Sequence, residues 1–196
     1  MEFNNDKNTI DFNKEPLIEN VTIQNIVASV SLHTSIPLEK VSNVIKRTEY
    51  DPEQFPGLVF RLREPKITAL LFSSGNVVCT GAKSKEDIEL AVERMVEELK
   101  VVDVKVTEKP DIKIQNVVAS GDIHMKLNLN QLVMNLKYAE YEPEQFPGLV
   151  FKLPHTRITF LLFGTGKIVC TGGVTIKEIN EGVIQLMQIV KDIQEK

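Results

Sequence analysis

The chain has no tryptophan, two cysteines and three histidines in 196 residues. Cys79 and Cys170 stand in the equivalent segments VVCTG and IVCTG and in no CxxC pair, which predicts buried thiols and neither a disulfide framework nor a thiolate metal clip. The histidines fall at no metal-ligand spacing, so no metal and no cofactor is expected. Long hydrophobic runs are missing as well. Ile67 to Phe72, broken by Thr68, is of strand length and far below the roughly 20 residues that span a bilayer. Met1 to Asn20 lacks the cationic start and apolar stretch of a secretory signal, so a cytoplasmic protein without membrane contact is expected.

Positive charge is in short supply too. The net charge of -4 argues against a partner held mainly through its phosphates. Residues 1–20 carry -3 of this, leaving -1 for the remainder, so in the body the placement of charge matters more than its sum. A catalytic constellation is also missing. The acids at 140–144 have no accompanying base or nucleophile, GTG at 164–166 is too short for a nucleotide loop, and GAKS at 81–84 lacks the Gly-Lys adjacency of a P-loop. No enzyme is expected.

What the chain does have is one unit written twice. IQNIVAS at 23–29 returns as IQNVVAS at 114–120, and EYDPEQFPGLVFRL at 49–62 returns as EYEPEQFPGLVFKL at 140–153, all at an offset of 91. Of 77 positions so aligned, from Ile23 and Ile114 onward, 33 are identical. The organisation that follows is an acidic, flexible tail over 1–20, a first repeat over 21–109 and a second over 110–196.

Each repeat reads in the same order. An extended stretch (22–31; 113–122) leads to a short helix opened near Pro37 or Asn128, with Leu38, Val41 and Ile45 or Leu129, Leu132 and Leu136 on one side. Three short strands follow, at 57–63, 66–73 and 76–81 in the first repeat, punctuated by EP and SSG. A long helix after the caps Ser84 and Thr175 closes the repeat, and a further extended segment, Val101 to Glu108, joins the two copies. Roughly ten strands and four helices result, and four helices cover only one face of such a sheet. The other face, read two residues apart, holds Asn25 and Val27, Leu70 and Phe72, and Val78 and Thr80. It is apolar and uncovered, which asks for a partner.

The segments QNIVAS, EYDPEQFPGLVFRLREPKITALLF and GNVVCTGAKS, with their second copies, closely resemble the TATA-box-binding protein family over about residues 21 to 195. The resemblance implies an α+β saddle of two pseudo-symmetric repeats, with a curved ten-stranded antiparallel sheet and four helices on its convex face. It implies a general transcription initiation factor that binds the minor groove of double-stranded TATA-box promoter DNA, kinks it by phenylalanine insertion, and recruits transcription factor B and, indirectly, RNA polymerase. A short polar tail suits an archaeal protein, working in the cytoplasm at the nucleoid. A monomer on DNA is expected, and the bare apolar sheet also allows a homodimer off DNA.

Residue by residue, the resemblance makes Phe55, Phe72, Phe146 and Phe163 the intercalating rings. It puts Asn25, Val27, Leu70, Val78 and Thr80, with Asn116, Val118, Leu161, Val169 and Thr171, on the groove floor. Phosphate contacts fall to Arg61, Arg63, Lys66 and Lys83 and to Lys152, Arg157 and Lys167. Glu140, Glu142, Glu144 and Gln145 would receive transcription factor B, although Glu49, Asp51, Glu53 and Gln54 offer a similar loop in the first repeat. The chain departs from the family pattern at Asn76, where a lysine is usual, and at Val174, which corresponds to Lys83. Those two losses support the alternative reading, a divergent paralogue acting as a protein-interaction scaffold or regulator with weak DNA binding. His155 and Thr156 likewise replace the turn that Glu64 and Pro65 make.

Overall fold

A computed structural model of the chain describes residues 17–195, so that most of the expected tail lies outside the described residues. The first copy of the repeat runs β1 (Val21–Ser31), α1 (Leu38–Val44), β2 (Thr48–Glu49), β3 (Leu58–Arg61), β4 (Thr68–Leu71), β5 (Asn76–Ala82) and α2 (Lys85–Leu99). The second runs β6 (Asp111–Asp122), α3 (Leu129–Asn135), β7 (Ala139–Glu140), β8 (Leu149–Lys152), β9 (Thr159–Leu162), β10 (Lys167–Gly173) and α4 (Ile176–Gln194). The strands hydrogen-bond in the order β2-β3-β4-β5-β1-β6-β10-β9-β8-β7. Ten strands and four helices give the α+β class expected from the sequence. Two compact units divide the chain, one of Ile23–Val118 and one that joins the first strand's opening residues to 119–195.

Within Ile23–Val118, alternation along the strands decides what is buried. Ile26, Ala28 and Val30 of β1, Leu58 and Phe60 of β3, Ala69 and Leu71 of β4, and Val77 and Cys79 of β5 are all buried. Ile88, Ala91, Val92, Met95 and Leu99 complete this core from α2 at the spacing of one helical face. Each fully buried large side chain contributes about 1.5–3 kcal/mol. Helix α2 opens with a capping box, in which Ser84 Oγ accepts from Asp87 N at 3.1 Å and Asp87 Oδ2 accepts from Ser84 N at 3.1 Å. The other unit repeats the scheme. Phe151, Phe160, Leu162 and Cys170 are buried with Ile179, Val183, Leu186 and Val190 of α4, and Thr175 Oγ1 caps that helix from Glu178 N at 3.1 Å.

Both cysteines are free and buried. Burial pushes the Cys79 thiol up to about 11 and that of Cys170 up to about 12, so neither is a nucleophile at neutral pH.

The expected extended segment at 101–108 is not a strand. Lys100–Val102 forms a 3-10 turn that continues α2, and Asp103 ends it in the left-handed region at φ 65. Lys40 of α1 fixes this exit by donating to Val102 O at 3.1 Å and to Asp103 Oδ2 at 2.7 Å. The complement of ten is completed by β2 and β7, two residues each, whose register (Thr48 with Phe60, Ala139 with Phe151) is imposed by the neighbouring strand. Two residues are too few to carry a period.

Candidate nucleic-acid interface

The residues that alternate with the core form the opposite face of the sheet. In Ile23–Val118, Val59 lies opposite Leu70, Leu70 opposite Val78, and Val78 opposite Ser29. A second row crosses Thr68, Thr80 and Val27. All of these side chains are only half-buried, as are Asn116 and Val118 on β6. In the other unit the same register joins Val150, Leu161 and Val169, with Thr159 opposite Thr171, again half-buried. The expected groove-floor residues therefore share one open face within each unit. It is made of methyl groups and hydroxyls, with both side-chain amides, Asn25 and Asn116, in Ile23–Val118, and carries no carboxylate among the expected positions.

Asn25 is held in a defined orientation. Its Oδ1 accepts from the Gly81 backbone N–H at 2.7 Å, and its Nδ2 donates to Thr80 Oγ1 at 3.2 Å. The backbone bond occupies the amide oxygen, so the group offers donors to whatever meets the face. Gly81 can supply that N–H because it sits at φ 104, where β5 slips register against β1 between Ile26 and Val27.

Phenylalanine pairs stand at the edge of the face in each unit. Phe55 and Phe72 meet edge to face with ring centroids 6.0 Å apart and planes at 67°, and Phe146 and Phe163 do so at 6.0 Å and 69°. Phe55 is 41% exposed and Phe146 42%, whereas Phe60 and Phe151, five residues on, are completely enclosed. The acidic loops project the outer rings. Asp51 O accepts from Phe55 N at 2.9 Å, and Glu142 O from Phe146 N at 2.9 Å. In the first loop the Asp51 carboxylate also takes Gln54 Nε2 at 2.8 Å. Gly57 and Gly148 are buried under the rings, and in the sequence only the PG letters mark them.

All seven expected phosphate contacts are exposed. Arg61 and Lys152 end β3 and β8 on the open face, and Lys167 begins β10 there, in line with Val169 and Thr171. Arg61 shares its charge with Glu49 at 3.1 Å. Arg63 and Arg157 are placed differently, each lining a groove beside a long helix, Arg63 with Glu93, Arg94 and Glu97 of α2 and Arg157 with Glu178 and Glu181 of α4. Glu140, Glu142, Glu144 and Gln145 form an exposed strip running from β7 into the loop before Phe146. Among the described residues no cluster of histidine, cysteine and carboxylate could hold a metal, and no helix is long and apolar enough to cross a membrane.

Comparison with known proteins agrees with this geometry. The family described as transcription factor TFIID (or TATA-binding protein, TBP) matches residues 20–102 and again 111–193. The TATA-box-binding protein of Picrophilus torridus is 46% identical over 179 residues, covering 90% of this chain and 96% of that protein. Its counterpart from Archaeoglobus fulgidus is 46% identical over 175 residues, covering 88% and 96%. A solved structure titled Methanococcus jannaschii TBP matches with a TM-score of 0.84 at 42% identity, covering 89% of this chain and 99% of that one.

Proposed function

We propose a DNA-bending mechanism for this chain, which belongs to the TATA-binding protein family and is a general transcription initiation factor. The observation that carries the mechanism is the open apolar face of the sheet, ended in each unit by an exposed phenylalanine braced edge to face on a second. Such a face suits the minor groove of A·T-rich promoter DNA. A·T pairs present only acceptors there, while G·C pairs add the guanine amino group. Val27, Val78, Val118 and Val169 have no acceptor for that amino group, so burying it unpaired costs about 1–3 kcal/mol. Asn25 and Asn116, with Thr80 and Thr171, supply donors to adenine N3 and thymine O2.

Phe55 with Phe72, and Phe146 with Phe163, act as wedges that open base steps; kinking by apolar wedges is the general physics of minor-groove binders, for which this family is a standard example. Fully burying four rings would contribute at most about 6–12 kcal/mol. The outer rings are already more than half buried against their neighbours, so roughly 2–4 kcal/mol is left for DNA to gain. Unstacking costs about a few kcal/mol per step. Wedging is therefore made favourable only together with the valine and leucine floor, and the phosphate contacts of Arg61, Arg63, Lys66, Lys83, Lys152, Arg157 and Lys167 add a salt-dependent share.

In this reading each sequence repeat, 21–109 and 110–196, contributes one half of the DNA contact. The protein is not an enzyme, acts as a monomer on promoter DNA at the nucleoid, and uses the strip Glu140, Glu142, Glu144 and Gln145 to receive transcription factor B and through it RNA polymerase. A salt-titrated mobility shift tests it, with a TATA duplex, a G·C-substituted control and the Phe146→Ala plus Phe163→Ala variant. A·T-selective binding that the variant loses supports the mechanism. Failure to bind either duplex, even with transcription factor B present, refutes it and favours the scaffold.

A further inference from the structure

We infer that Gly57 and Gly148 are positioning residues, each leaving the space that holds a phenylalanine pair in its wedge orientation; this rests on the wedge reading above. A Cβ built on Gly57 would lie 2.6 Å from Phe55 Cε1 and 3.0 Å from Phe72 Cε1. On Gly148 it would lie 2.6 Å from Phe146 Cε1 and 3.1 Å from Phe163 Cε1. Ordinary carbon contacts are about 3.5–4.0 Å, so a methyl group would displace the outer ring by roughly 1 Å. The two sites agree within 0.1 Å, and the segments that carry them, EYDPEQFPGLVFRL and EYEPEQFPGLVFKL, are nearly identical.

The reason for glycine is not backbone freedom. Neither residue lies at positive φ, so alanine fits the chain path. What a methyl group would disturb is the ring pair, the outer ring most. Phe55 and Phe146 project from exposed loops and can swing away, so the fold absorbs the change at little cost, and alanine also lowers the entropy of the unfolded chain. Wedging gains nothing from that escape, because a ring tilted off its edge-to-face partner meets the base step at the wrong angle. A structural glycine would lose stability and binding together. A positioning glycine loses DNA bending and keeps stability.

The test is Gly148→Ala in the full chain, alone and combined with Phe146→Ala. It measures melting temperature, affinity for a TATA duplex, and the bend, read by energy transfer between dyes on the duplex ends. Gly148→Ala is expected to melt no lower than the parent, bind about tenfold more weakly and bend the duplex less, and to change affinity by less than about twofold once Phe146→Ala has removed the ring. Affinity and bend unchanged in the single variant would overturn the inference. So would an equal loss in both backgrounds, or a lowered melting temperature that accounts for the loss. If Phe146→Ala plus Phe163→Ala binds and bends like the parent, the wedge reading itself falls, which is a separate result.

Discussion

The two repeats agree at the ring pairs and the groove-floor positions and diverge among the charges around them. The ring pairs differ by 2° in interplanar angle and not at all in centroid distance, and the floor residues Asn25, Val27, Leu70, Val78 and Thr80 return unchanged as Asn116, Val118, Leu161, Val169 and Thr171. Around them, Asn76 answers Lys167 and Lys83 answers Val174. The outer surface differs more. Arg47 pairs with Glu98 in the first repeat, where the second has Tyr138 and Ile189. Apart from the outer rings, the exposed apolar side chains also fall at different places, Val44, Leu90 and Val101 in the first repeat and Met134, Tyr138, Ile184 and Met187 in the second. One duplicated unit thus supplies a common grip, and its periphery is where polarity along DNA and choice of partner can arise.

The comparison breaks most severely at the enclosed phenylalanines. Phe60→Ala and Phe151→Ala should each cost about 3–5 kcal/mol of stability in denaturant unfolding, because both rings are buried to within 1%. Phe55→Ala and Phe146→Ala, in the same motif, should cost far less. A second effect, equal in kind in both repeats, comes at high pH. The folded thiols of Cys79 and Cys170 ionise near 11 and 12 and the unfolded ones near 9, so the native state holds its protons longer. The contribution is complete below pH 9 and shrinks as pH rises, by about 1.4 kcal/mol per pH unit for each thiol up to its folded value. Replacing both with alanine should flatten the decline in urea titrations between pH 9 and 11.

Binding effects are smaller and sharpen the contrast. Phe55→Ala plus Phe72→Ala should weaken TATA binding about as much as the matching pair in the second repeat, by roughly tenfold or more, equal to about 1.4 kcal/mol. Asn76→Lys restores on the first repeat the charge that Lys167 provides on the second. Its effect should be a few-fold gain at low salt and a salt slope steeper by about one unit in a log-log titration. An unchanged slope would mean that position 76 does not reach a phosphate.

The architecture was legible because it was written twice. A repeated QFPG before a strand, repeated caps at Ser84 and Thr175, and an alternation with one apolar face too many led to four helices, four longer strands in each repeat and an open surface. The missed elements were too short or fixed by distant partners. β2 and β7 borrow their register from β3 and β8, and the stretch after α2 looked extended although Lys40 closes it into a turn. Arg63 and Arg157 lie in the hairpin turns, Arg63 two residues past β3 and Arg157 two before β9, and the grooves they line beside the long helices are not visible in the letters. Gly57 and Gly148 were visible as letters, but a forbidden contact is a distance and needs coordinates.

The most direct test of the account is to scan the fluorescent, stacking-quenched base 2-aminopurine through each step of a TATA duplex and record its emission as protein is added. The account predicts brightening confined to two steps, with Phe146→Ala plus Phe163→Ala silencing one and Phe55→Ala plus Phe72→Ala silencing the other. Saturated binding with no step brightened would contradict it.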